Sequence, residues 1–335
     1  MQKPYAVFLS QEPENQFMKK VFSPAVSARI SRLAELDDAI CSAGDLGSDR
    51  LRRADYAFST WGMAKLSEEQ IRTYLPNLKA VFYGAGSVQD FARPFLSAGV
   101  AVHSAWAANA VPVVEYTVAQ IVLANKGFFH TVSRGGTDYP MQRDDVWDGC
   151  GNFNAKVGII GCGMIGSMVC DRLRQYRLEV LVSDPFASDE KLAALGARRA
   201  SLEEIFSTCS VITNHTANLP ATVGMLRYEH FSRMKPTAVF LNTGRGAQVV
   251  EADLIRALTE EPRRAAVLDV TLPEPPEKDS PFWTLPNVFL TPHIAGSMGS
   301  EIERMGEYMA DEFERRMAGE TCLYSVTEKM LETMA

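Results

Sequence analysis

The stretch Val157-Gly158-Ile159-Ile160-Gly161-Cys162-Gly163-Met164-Ile165-Gly166 reads as a short apolar strand running into G-x-G-x-x-G, and residues 167–173 continue it as a helix. Gly161 permits the tight turn, Gly163 lets backbone approach a pyrophosphate, and Gly166 lets the helix pack close to the strand. The helix N-terminus then offers free N–H groups and a positive dipole end to phosphate. A bare G-x-G-x-x-G is a weak signal, because glycines gather in loops for many reasons. Here Asp184 closes the next strand. A carboxylate there accepts both ribose hydroxyls of an adenosine and repels a 2′-phosphate. Pro185 and Phe186 follow it, with no Arg or Lys beside them. The stretch therefore reads as a dinucleotide site that favours NAD over NADP; the bland alternative is a structural turn with an N-capping aspartate.

Outward from this stretch, short apolar runs alternate with helical ones. Before it, 6–9, 56–59, 80–83 and 101–103 read as buried strands, with helices over 25–36, 67–75 and 91–98. Pro112 suits a first helical position and opens a long apolar helix over 112–126. The polar, Gly-rich run 134–152 reads as a connector. Strands then fall at 157–160, 180–183, 211–214, 238–241, 265–268 and 288–290, and a last amphipathic helix over 301–317. Six strands with helices between them fit a doubly wound nucleotide-binding sheet, and the whole reads as α/β with parallel sheets.

Composition bounds the function. At 335 residues the chain suggests two domains. A net charge of −7 gives no reason to expect nucleic acid as a partner. The six cysteines are scattered without a C-x-x-C pair, so they read as buried free thiols and no metal site is expected. No stretch is expected to reach the apolar length of a bilayer span, and the N-terminus carries too short an apolar run for a signal peptide. No membrane partner and a cytoplasmic location are therefore expected.

Three segments fall where strands of the second series end: Asn242-Thr243-Gly244-Arg245-Gly246, Asp269 to Glu274-Pro275, and Thr291-Pro292-His293-Ile294-Ala295-Gly296. Ligands of open α/β sheets lie beyond the carboxyl ends of the strands. Reducing a ketone needs a proton donor for the forming alkoxide, and histidine titrates in the useful range. A carboxylate beside that imidazole fixes its tautomer and favours the protonated form. An arginine clamps a carboxylate through two parallel hydrogen bonds. Singly, Arg245 reads equally as a surface cation, Glu274 as a solvated loop acid and His293 as a turn cap.

Together, GxGxxG, NxxRG, LDVxxxEP and TPHxxG, in this order and spacing, resemble the D-isomer-specific 2-hydroxyacid dehydrogenases. The match takes in Gly84-Ala85-Gly86 and the helix near Pro112. The resemblance implies that Arg245 binds the substrate's carboxylate and carbonyl, that Glu274 orients the imidazole, and that His293 is the acid–base. It implies pyrophosphate contacts from the amides of Met164 and Ile165, a nicotinamide contact from Asp269, and cofactor contacts from Thr216, Thr243 and Gly244. The amides around Gly84, Ala85, Gly86 and Ser87 match a second grip on the substrate carboxylate. His215 reads as structural. Ala217 stands where proline is common, which puts the rigidity of the cofactor loop in doubt, and Gly244 where a larger or alanine-like residue is usual.

The resemblance also implies an architecture: a Rossmann NAD-binding domain, 106–295, inserted into a discontinuous flavodoxin-like substrate domain, 1–105 with 296–335, in a homodimer. The expected activity is hydride transfer between NAD(H) and a small 2-oxo or 2-hydroxy acid. Phosphoglycerate oxidation is the alternative. Against it, the loop 58–66 has Trp61 and Met63 where arginine would hold a phosphate, with Lys65 as its lone cation, and the length is expected to leave no room for a regulatory domain. A non-catalytic NAD(H)-sensing protein shares the fold. Formate dehydrogenase, a third reading, has an amide where Glu274 stands.

Overall fold

The protein, a computed structural model, is described over residues 3–132 and 151–332. The expected connector 134–152, with Trp147 and Cys150, lies outside the described residues as far as residue 150. The chain divides into two compact units, residues 1–110 with 297–335 and residues 111–296.

Among the described residues the strands are, in order, β1 (Tyr5–Ser10), β2 (Glu35–Ser42), β3 (Tyr56–Ser59), β4 (Ala80–Tyr83), β5 (Ala101–Ser104), β6 (Phe153–Ile160) and β7 (Arg177–Ser183). They continue as β8 (Ala197–Arg199), β9 (Val211–Asn214), β10 (Val239–Asn242), β11 (Ala265–Leu268), β12 (Val288–Leu290) and β13 (Ser325–Val326). The first unit's sheet runs β2-β1-β3-β4-β5-β13, parallel but for β13, which pairs antiparallel with β5. This is the flavodoxin-like order with one added edge. The second unit's sheet runs β12-β11-β10-β9-β6-β7-β8, parallel throughout. Its order reverses beside β6, at the switch point that defines a Rossmann sheet.

Side chains alternate across the second sheet. Val157, Ile159, Val211, Val239, Leu241 and Val267 join one cluster, and Ile160, Ile212, Phe240, Ala266 and Leu268 the other. Period-two alternation with both faces apolar is what a parallel sheet covered by helices requires. The first unit repeats the plan with clusters around Val81 and Val102 on one face and Phe58 and Phe82 on the other.

Three expectations need correcting. The helix expected over 25–36 ends at Leu33, and the chain turns at once into β2, which the sequence hid. That strand lies at the sheet edge with most of its side chains exposed or half-buried, so it lacks an apolar signature. Pro112 does not start its helix: the helix runs Trp106–Asn125 with the proline inside it. The same helix is long and apolar enough to cross a membrane by length and composition. Its Val114, Ile121 and Ala124 belong to the core cluster of Val157 and Ile159, and a core helix passes the same test.

His103, on β5, is buried and stacked on Phe82 at 4.8 Å. Its Nδ1 lies 3.1 Å from the Ser325 hydroxyl and 3.6 Å from the Glu312 carboxylate, while Nε2 has no partner among the described residues. Burial pushes this imidazole down to about 4. The unfolded chain therefore takes up the proton first, so His103's contribution to stability is complete above pH ~6.5 and is lost as the pH falls to about 4. We predict that His103→Gln flattens the fall in urea midpoint over that window by the equivalent of about 1–3 kcal/mol. Parallel slopes for parent and variant would refute it.

Candidate active site

The glycine turn is shaped for an anion. Gly161 has φ 87°, and a Cβ there would lie 2.9 Å from the backbone of His215 and Thr216. A Cβ on Gly166 would lie 2.0 Å from the Gly161 carbonyl oxygen. At Gly163, by contrast, a Cβ would meet nothing within 4 Å, so the loop opens to solvent there. The helix Met164–Leu173 starts beside it without a side-chain cap. The amides of Met164 and Ile165 have no protein acceptor among the described residues. An open backbone surface, unpaired N–H groups and a helix dipole fit a dinucleotide's pyrophosphate.

Asp184 directly follows β7, and its carboxylate is largely occupied. Oδ2 accepts from the Cys162 amide at 2.6 Å, and Oδ1 from the amides of Phe186 at 2.7 Å and Ala187 at 2.9 Å. A carboxylate has about four acceptor positions, so one is left for a ribose hydroxyl rather than room for two. Nor is Asp184 without cations, as its sequence neighbours implied. Arg199 donates to the Asp184 carbonyl at 2.7 Å and to the Ala187 carbonyl, and pairs with Asp189 at 2.7 Å. Lys191 donates to the Cys162 carbonyl at 2.8 Å. Both arrive from beyond β7, which is why adjacency in sequence missed them.

At the carboxyl ends of β10, β11 and β12 the three expected side chains gather. His293 Nδ1 lies 2.7 Å from Glu274 Oε1. Arg245 is largely enclosed, and burial pushes its guanidinium below the ordinary value while the charge of Glu274 works the other way. Its one protein hydrogen bond among the described residues runs from Nη1 to the Gly244 carbonyl at 2.7 Å, so most of the guanidinium fork is unused. His293 has φ 54°, a left-handed conformation that costs a non-glycine residue of order 1–3 kcal/mol. Asp269 holds it there. Its carboxylate accepts from the amides of Ile294 at 2.8 Å and Ala295 at 2.9 Å and from the Thr291 hydroxyl at 2.6 Å, while its carbonyl takes the His293 amide at 3.0 Å. Asp269 thus organises the histidine loop, which leaves little of its carboxylate for a nicotinamide amide.

Thr216, Thr243 and Gly244 border one buried amide network that the sequence did not disclose. Asn214 and Asn242 end β9 and β10 in register, and Asn214 Nδ2 donates to Asn242 Oδ1 at 3.0 Å and to Gln248 Oε1 at 2.6 Å. The Thr216 hydroxyl and amide donate to Asn214 Oδ1 at 2.8 and 3.2 Å. A Cβ on Gly244 would come within 2.8 Å of Gln248 Oε1 and 2.9 Å of Asn214 Nδ2, so the network occupies the space of the larger residue expected there. His215 lies between the hydroxyls of Thr213 and Thr243, and desolvation keeps it neutral.

In the first unit, Gly84 spends its amide on the Ser59 carbonyl at 2.7 Å. Ser104 Oγ holds the carbonyls of Ala85 and Gly86, each at 2.8 Å. The amides of Ala85, Gly86 and Ser87 have no acceptor among the described residues. In the loop 58–66, Met63 is buried in the core, Trp61 packs edge-on to Phe17 at 5.3 Å, and Lys65 pairs with Asp90 at 2.8 Å.

Residues 129–295 match the family profile described as D-isomer specific 2-hydroxyacid dehydrogenase, NAD binding domain. The chain belongs to this family. Its second unit carries the family's NAD-binding domain. The chain is 31% identical over 222 residues to D-3-phosphoglycerate dehydrogenase of Mycobacterium tuberculosis, covering 66% of this chain and 42% of that protein. It is 35% identical over 170 residues to the human protein of that name, covering 50% of this chain and 32% of the human one. It therefore spans less than half the length of these curated relatives. The fold is shared with Rhodotorula graminis D-mandelate dehydrogenase, with a TM-score of 0.80 and 17% identity over 97% of this chain and 98% of that one. It is also shared with a Rhizobium etli phosphoglycerate oxidoreductase, with a TM-score of 0.77 and 22% identity over 98% and 100%.

Within the family's NxxRG motif, Gly246 is fixed by its neighbours: a Cβ would lie 2.0 Å from the carbonyl carbon of Thr271. The segments carrying Arg245 and Glu274 touch there through backbone, which cannot swing aside as a side chain does. Gly246→Ala is expected to lower Tm by several degrees, as overpacking of about 1–3 kcal/mol does. It should also lower turnover at least ~10²-fold by displacing both segments. Differential scanning fluorimetry with NADH-oxidation assays checks this; turnover within threefold of parent would contradict it.

Proposed function

We propose that the chain is an NAD(H)-dependent dehydrogenase of the CH–OH group, interconverting a small D-2-hydroxy acid and its 2-oxo acid. The observation that carries this reading is the His293–Glu274 pair at 2.7 Å beside an Arg245 whose guanidinium fork is largely unused. When bound, NAD(H) supplies the hydride. Arg245 holds the substrate's carboxylate and draws electron density from the neighbouring carbonyl. Glu274 accepts a hydrogen bond from Nδ1–H of His293, which keeps that proton on Nδ1 and favours the imidazolium, so Nε2 gives its proton to the forming alkoxide and takes it back in oxidation. In the first unit the amides of Ala85, Gly86 and Ser87, which have no acceptor among the described residues, are donors suited to a carboxylate. Buried free thiols at Cys41, Cys162, Cys170 and Cys209 support a reducing, cytoplasmic setting. Exposed Phe128, Val132 and Phe153 support the homodimer that the family resemblance implies.

We further propose a substrate without a phosphate, of the glyoxylate or hydroxypyruvate size. The loop 58–66 has Lys65 as its single cation, in an exposed pair with Asp90, and Met63 is core. The second reading, phosphoglycerate oxidation, is favoured by the names of the curated relatives.

His293→Ala should lower turnover by roughly 10²–10⁴ while NADH still binds; near-normal turnover would move the acid elsewhere. NADH consumption with glyoxylate, hydroxypyruvate, pyruvate and bulkier 2-oxo acids is expected. Its absence with all of them, with NADH still bound, would favour a sensing protein. A higher kcat/KM for 3-phosphoglycerate with NAD, corrected for direction, would overturn the unphosphorylated assignment. Cofactor preference should favour NADH over NADPH at least ~10-fold, since a phosphate beside Asp184 costs about 1.4 kcal/mol. Asp184→Ser should narrow that ratio, and adding Lys191→Ala should widen it again, because Lys191 is the nearby cation without a carboxylate partner among the described residues. Equal use of both cofactors by the parent would refute the preference.

A further inference from the structure

Gln248 is fully buried in the second unit, and no motif singles it out. Both ends of its carboxamide are used. Oε1 accepts from the Arg245 amide at 3.1 Å and from Asn214 Nδ2 at 2.6 Å. Nε2 donates to the carbonyls of Thr216 at 2.6 Å and Ala217 at 3.0 Å. A single side chain therefore ties the peptide of Arg245 to the loop that follows β9. The Arg245 peptide is gripped from its other side as well, since Asn242 Nδ2 donates to its carbonyl at 3.1 Å. The loop has a second tether in the Thr222 hydroxyl, which donates to the Ala217 carbonyl at 2.7 Å.

This arrangement bears on Ala217, which lacks the ring that would stiffen the loop. Half-buried carbonyls are still best satisfied by donors, and here donors from a neighbouring element hold the loop where a proline ring does not. We propose that Gln248 is a positioning residue that braces two elements separately, the cofactor-covering loop 215–217 through Nε2 and the substrate-binding Arg245 through Oε1. The proposal deepens the function argued above and rests on its assignment of Arg245.

The two ends are separable by substitution. Gln248→Glu keeps an acceptor for the Arg245 amide but turns a second acceptor toward the carbonyls of Thr216 and Ala217. Gln248→Met keeps the length and removes both functions without adding charge. NADH affinity is read by fluorescence titration, which needs no turnover, and KM for the best 2-oxo acid by NADH oxidation, with thermal unfolding as the folding control. Gln248→Glu should weaken NADH at least ~5-fold, about the loss of one net hydrogen bond, and leave the acid's KM within about twofold. Gln248→Met should raise both. The proposal is overturned if folded Gln248→Met leaves both values within about twofold of parent, or if Gln248→Glu weakens the acid as much as NADH. Should Gln248→Glu not fold, Gln248→Met decides alone. If the parent reduces no 2-oxo acid, the functional assignment fails, while the NADH titration still tests the cofactor end.

Discussion

The candidate site at the carboxyl end of the second unit's sheet hangs on the buried carboxylate of Asp269. It stands just past β11 and gathers two amides and a hydroxyl from the segment after β12, so that His293 sits in a backbone conformation its own side chain disfavours. A flexible loop would relax His293 toward ordinary extended geometry. The carboxylate over-determines the loop and makes the left-handed turn the cheapest arrangement available. The chain extends one step further, since the Tyr116 hydroxyl lies 3.1 Å from the Thr291 hydroxyl that Asp269 accepts. The residue that a motif would assign to cofactor contact thus does its clearest work on the protein's own backbone.

How much of this was legible depends on how local each signal is. The turn at Gly161, Gly163 and Gly166 was readable because steric demand and sequence spacing coincide within one turn. Arg245, Glu274 and His293 were readable because parallel topology brings strand ends to one edge of a sheet. The strand Glu35–Ser42 was not, because an edge strand with mostly solvated side chains needs no apolar run. Pro112 misled because its usual place is a helix start, whereas here tertiary packing carries the helix through it. Asn214 and Gln248 left almost no trace. Their one faint sign was polarity at in-register strand ends, as Asn242 lies opposite Asn214.

Asp184 shows the limit of reading charge from adjacent residues. A sequence neighbour is a poor proxy for a spatial one when the next element returns alongside the strand. The helix Asp189–Ala194 and β8 bring Lys191 and Arg199 back to the turn, and both donate to backbone carbonyls. Arg199 is neutralised locally by Asp189, so its charge carries little beyond the turn. Lys191 has no such partner among the described residues. Discrimination between the two dinucleotides is therefore a contest between one carboxylate, already bonded to three amides, and one ammonium.

Substrate choice rests on different ground from cofactor choice. The family profile covers residues 129–295, almost wholly the second unit, and the relatives' names are attached to proteins more than twice as long as the aligned stretch. The profile match reports a shared NAD-binding domain, and Arg245, Glu274 and His293 lie within it. It reports little about the far end of the substrate. The loop 58–66 belongs to the first unit and is built by that unit's own packing: Met63 fills its core, Asn15 takes the Trp61 carbonyl at 2.6 Å, and Asp90 takes Lys65. A phosphate needs several convergent donors, and this loop has a single cation, which faces solvent beside an aspartate.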